Sequence, residues 1–201
     1  MSILSIIGVP GSGKSSLAKA MSVREGLTLF PEPVESNPYL TDYYADPARY
    51  AFNMQVFLLH ERYKQTLKAL ECKTKVIMDA SMHVNDIFSI MQRKSGIMSE
   101  TDFLTYKTLS QTLRLQAAEP GLVVYLKCRP ETAVQRIMKR GRKSEFQAPL
   151  SYWYDINETY DEWFAEYTLA KKIEIPVDDL DFVADDSDED FIIDTILEYW
   201  Q

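Results

Sequence analysis

The chain has 201 residues, enough for one α/β domain over 1–201 with a full core, and its 46% apolar and 26% charged residues are ordinary for a globular protein. A net charge of −8 disfavours long polyanions, so a nucleic-acid polymer is not an expected partner. Two cysteines without metal-like spacing (Cys72, Cys128) and two histidines (His60, His83) leave little material for a disulfide framework, a zinc site or a Ser-His-Asp triad.

The first apolar run, 3–7, predicts a buried strand. It lacks the basic flank of a signal peptide, and no later stretch approaches ~18 consecutive apolar residues. No membrane span is expected, and the expected location is the cytoplasm. The run leads into Gly8-Val9-Pro10-Gly11-Ser12-Gly13-Lys14-Ser15, a complete G-x-x-x-x-G-K-[ST] loop, and a helix is predicted over 15–21. Strand, glycine loop and helix together form a phosphate cradle. Gly8, Gly11 and Gly13 let backbone N–H groups turn inward beside Ser12 and Ser16, and the helix dipole faces the anion. Lys14 bridges the β- and γ-phosphates of ATP, and the Ser15 hydroxyl ligates Mg²⁺.

Further strands are predicted over 27–30, 76–78, 122–126 and 172–175, with helices over 47–70, 84–94, 100–117, 131–140, 152–169 and 188–200, the last capped by Ser187. Strand-helix alternation with continuous apolar strands predicts a three-layer α/β fold with a mainly parallel five-stranded sheet. The acidic run 178–190 reads as a solvated loop without chemistry of its own. Arg136 and Arg140 share a helix face, and Gly141 permits a change of direction before Arg142. Three guanidinium groups there suit a lid over 136–149 that surrounds a transferring phosphoryl group and excludes water.

The phosphate loop and three further blocks resemble the deoxyribonucleoside kinase family, especially its bacterial deoxyadenosine/deoxyguanosine kinase branch. The blocks are Pro31-Glu32-Pro33-Val34; Tyr43 to Gln55 with Phe57, Leu58 and Arg62; and Arg129-Pro130-Glu131-Thr132 leading to Arg140-Gly141-Arg142 and Glu145. The resemblance covers nearly the whole chain. It implies a P-loop nucleoside/nucleotide kinase fold and ATP-Mg²⁺-dependent phosphorylation of the 5′-hydroxyl of a deoxyribonucleoside, as in nucleotide salvage. Glu32 then takes the 5′-hydroxyl proton, Gln55 reads the base edge, Tyr44 and Glu145 bind the 3′-hydroxyl, and Phe52 and Phe88 stack on the base. A homodimer joined through helices is implied, with a heterodimer of related subunits as the alternative.

Two positions depart from the family pattern. Asp79 at the end of the third strand can hold the Mg²⁺ shell, but Ala80 stands where an arginine is expected, and Arg49 or Arg93 are the candidates to replace it. Asn85 stands where an acid is common; Asp86 would serve if the helix register shifted by one. Two alternatives accompany the kinase assignment. One is a nucleoside monophosphate or modified-nucleoside kinase, which the lost arginine disfavours. The other is a weakly active nucleotide-binding regulatory subunit, which Ala80 favours.

Overall fold

Strands that are apolar along most of their length, as Ile3–Ile7, Val76–Asp79 and Leu122–Lys127 are here, must be covered on both faces, and that requirement organises this molecule. The computed structural model describes residues 3–34 and 36–200. Strands β1 (Ile3–Ile7), β2 (Thr28–Phe30), β3 (Val76–Asp79), β4 (Leu122–Lys127) and β5 (Lys171–Pro176) pair all in parallel, in the order β2-β3-β1-β4-β5. Every residue of β1 and β3 is buried. Helix α1 (Lys14–Glu25) packs against β1, β2 and β3 and meets α8 (Asp186–Tyr199). The helices α3 (Pro47–Glu71), α4 (Met82–Lys94), α5 (Glu100–Arg114) and α7 (Leu150–Glu166) pack on one another, while α6 (Pro130–Arg140) meets α7. The expected α/β class and five-stranded sheet are therefore found. Among the described residues no helix is long and apolar enough to cross a membrane.

Local chemistry sets the helix ends. Asp46 caps α3 by accepting from the Arg49 N–H, with Pro47 in the first turn, and Ser99 caps α5 by accepting from the Asp102 N–H. The last helix corrects the expected cap. Asp185 accepts from the Ser187 N–H at 2.9 Å, so Ser187 lies inside the first turn, among acids that suit the helix dipole. Two short elements were not expected: α2 (Leu40–Ala45) and a 3-10 turn at Lys143–Gln147. The acidic run is also corrected. Its Phe182 is buried, and its second part is the start of α8.

A polar knot fastens α4 to α5 and to the turn before β4. Asp86 accepts from Ser110 and Arg114, and Arg114 also reaches Glu119, which pairs with buried His83 at 2.7 Å. Asp86 therefore faces α5 and is not the acid that would replace Asn85. Burial works to raise the Glu119 carboxyl, but His83 and Arg114 outweigh it and hold it at about 2. A carboxyl held low in the fold stabilises it above the ordinary carboxylate range and loses that contribution as pH falls toward about 2. Glu119→Gln is expected to lower the melting temperature at pH 7 and to match the unsubstituted protein near pH 2, as thermal unfolding across that range will test.

Candidate active site

Parallel strands bring their carboxyl ends to one edge of the sheet, where ligands of such folds gather. At that edge lie the phosphate loop after β1, Glu32 after β2, Asp79 ending β3 and Arg129 after β4. The β1–β3 register sets Ile6 opposite Asp79, and the Ala80 N–H continues the ladder to the Ile6 carbonyl at 3.0 Å.

The loop closes tightly. Gly13 has φ 96°, and a side chain there would strike the Phe182 ring; a side chain at Gly11 would strike the Ala133 backbone of α6. The Ser12 side chain is buried with no partner for its hydroxyl among the described residues, and Lys14 donates to the Val9 carbonyl at 3.1 Å. Gly11, Gly13, Lys14, Ser15 and Ser16 line a cleft of about 750 Å³, whose other wall includes Arg136, Arg140 and residues 178–181. The first part of the acidic run is thus a largely exposed loop, as expected, but it also walls this cleft.

The carboxylate after β2 faces inward. Glu32 accepts from Arg62 Nη2 at 2.5 Å, and the Arg62 side chain is only 1% exposed. Buried Asp79 has one oxygen without a partner among the described residues. Burial, then the charge of Glu32, push its carboxyl up, while Lys14, Ser15 and Arg62 beside it pull it back. Glu32, Asp79, Lys14, Ser15 and Arg62 thus form one electrostatic group. The second Arg62 arm donates to the Asn85 side-chain oxygen, and the Asn85 amide donates to the Gln55 side-chain and main-chain oxygens, each at 3.3 Å. Gln55 and Asn85 are both buried, and among the described residues the Gln55 side-chain nitrogen has no partner. Phe88 lies edge-on to Tyr160, a buried tyrosine close to the charges of Glu32, Arg62 and Asp79. Phe52 packs instead with Leu59, Met82 and Tyr106, a small core cluster of α3, α4 and α5.

Tyr44 and Glu145 come together: burial first, and then the Glu145 charge, push the Tyr44 phenol up. The arginines do not converge on one point. Arg140 and Arg142 both donate to buried Glu145, at 2.5 and 3.0 Å, whereas Arg136 donates to the Val177 and Leu180 carbonyls. The proposed substitutes for the missing arginine also lie elsewhere. Arg49 is exposed over the Tyr50 ring, and Arg93 is exposed over Phe103 and paired with Glu100.

Magnesium is a hard cation that takes oxygen ligands and retains waters and substrate phosphates. The free Asp79 oxygen and the Ser15 hydroxyl fit such a partial shell. Among the described residues no cluster of His, Cys, Asp and Glu would hold a metal alone.

The chain matches the family model for deoxynucleoside kinases over residues 4–200. It is 31% identical over 198 residues to the deoxyadenosine/deoxycytidine kinase of Bacillus subtilis, covering 97% of this chain and 91% of that protein. It is 30% identical to the deoxyguanosine kinase of Lactobacillus acidophilus, covering 98% and 90%. Among solved structures, the deoxyadenosine kinase of M. mycoides with dCMP and a flexible dCDP bound superposes with a TM-score of 0.87, at 28% identity and 98% and 99% coverage.

Proposed function

Since this chain belongs to the deoxynucleoside kinase family and is a kinase of deoxynucleosides, we propose that its strand-edge group carries the γ-phosphate of ATP-Mg²⁺ to the 5′-hydroxyl. The observation that carries this assignment is Glu32 turned inward, held by Arg62 and close enough for its charge to act on Asp79 beside the phosphate loop. Glu32 orients the hydroxyl and takes its proton, since a carboxylate within hydrogen-bond reach of a hydroxyl can serve as general base. The loop amides and Lys14 hold the β- and γ-phosphates. Ser15 and Asp79 hold the metal, which when bound offsets the phosphate charge. Gln55 and Asn85 meet the base edge with Phe88 beside it, and Tyr44 with Glu145 meets the 3′-hydroxyl. Residues 136–149 act as a lid of the one kinase domain, with Arg140 and Arg142 swinging from Glu145 to the phosphoryl group as substrate closes it.

The test is direct. Purified protein with ATP-Mg²⁺ and each deoxynucleoside is expected to yield the 5′-monophosphate by chromatography, and no diphosphate from the deoxynucleoside monophosphates. Diphosphate formation alone would replace this assignment with a monophosphate kinase. Asp79→Asn is expected to raise the Mg²⁺ needed for half-maximal rate roughly 10–100-fold, as a metal titration of the rate will measure. The exposed Leu67 and Leu70 on α3 support pairing of two copies through that helix, to be checked by the mass in solution. The cytoplasm is the location that fits an ATP-using kinase.

A further inference from the structure

Position 80 cannot supply a cation. Ala80 is fully buried, with φ 66°, and its side chain ends at a methyl group. Arg49 and Arg93 are exposed and engaged elsewhere, and Lys14 is bonded within its own loop. The Arg62 guanidinium reaches Glu32. Arg62 sits on the buried face of α3 and divides its two terminal nitrogens between Glu32 and Asn85. A buried guanidinium is costly unless a charge and hydrogen bonds compensate it. Asn85 offers an acceptor but no charge, so Glu32 is the carboxylate that hydrogen-bonds this cation among the described residues.

We propose that Arg62 is the positioning residue for Glu32, taking the place left empty at Ala80, and that a neutral residue at 85 is the condition for it. The bond from Arg62 fixes one carboxylate oxygen and leaves the other to receive the 5′-hydroxyl. An acid at position 85 would compete for the same guanidinium and draw it from Glu32. The departures at 80 and 85 are then one linked change. This inference rests on Glu32 serving as the base.

The test separates orientation of the hydroxyl from reading of the base. Arg62→Met is expected to lower kcat on the order of 10²-fold, as loss of a preorganised donor does. Its affinity for a 5′-deoxy analogue of the substrate nucleoside, which has the base but no hydroxyl to orient, should stay within threefold. Arg62→Lys keeps the charge and should recover at least part of the lost rate. Asn85→Asp should lower kcat about tenfold, the worth of one charge-assisted hydrogen bond now shared. Circular dichroism shows whether Arg62→Met is folded; if it is not, Arg62→Lys and Asn85→Asp decide the matter. An unchanged kcat in Arg62→Met, or in Asn85→Asp where Arg62→Met does not fold, would overturn the proposal. So would a loss confined to KM and to analogue affinity. A failure of Glu32 itself is read separately. If Glu32→Gln transfers phosphate at full rate, the assignment of the base falls, whatever the Arg62 variants do.

Discussion

Lys14→Met is expected to lower phosphoryl transfer on the order of 10³-fold, at the upper end for loss of one preorganised cationic contact. The reason is positional. Lys14 is 7% exposed at the start of α1, where the dipole of the helix and the loop amides already favour an anion. Its ammonium rests on the Val9 carbonyl and also offsets the charge of Asp79. With methionine the phosphates keep the amides but lose the point charge, and Asp79 loses a neighbour that favours its ionised form. The ATP concentration for half-maximal rate should rise along with the loss of kcat. Transfer of radiolabelled phosphate at saturating nucleoside measures both, and a loss of less than tenfold would remove Lys14 from the phosphate site.

Glu32→Gln should cost roughly 10²–10⁴-fold in kcat while ATP binding persists, the range for a positioned general base. Glutamine preserves shape and one acceptor oxygen, so Arg62 retains a partner, but the amide cannot take the hydroxyl proton. The loss should therefore fall on kcat and leave the melting temperature within a few degrees. A fluorescent ATP analogue reports binding, and product chromatography reports transfer. Undiminished transfer would mean that the hydroxyl is activated from elsewhere.

The inner strands and the phosphate loop are legible because each carries a strong local signal, apolar runs bounded by turns and a fixed glycine pattern, whereas edge strand β5, with lysines and a glutamate among its isoleucines, carries a weaker one. The inward-facing Glu32 was legible through resemblance and through its place after a strand. Arg62 was only partly so. It stands in one of the blocks of resemblance, whereas the sequence offers Arg49 and Arg93 as sources of the missing charge. One signal was available: Gln55 and Arg62 lie seven residues apart on the same stripe of α3 as Met54, Leu58 and Leu59, so two polar side chains interrupt a buried face. The meeting of Arg140 and Arg142 on Glu145 had no such signal, because it depends on the direction the chain takes after Gly141. The part of 178–190 that walls the cleft was hidden by its composition. Its acids suggest solvent, and only the fold shows Phe182 set against Gly13.

The strand order has a consequence for synthesis. Of the five strands described, β1 is made before the other four and lies at the centre of the sheet, yet its neighbours begin only at Val76 and Leu122. Until β3 is made this largely apolar strand has both edges open, and until β4 is made it keeps one, the state most prone to mispairing with other nascent chains. Slow translation between those neighbours, or scarce chaperone, should therefore lower the yield of folded protein more than it lowers the activity of what folds.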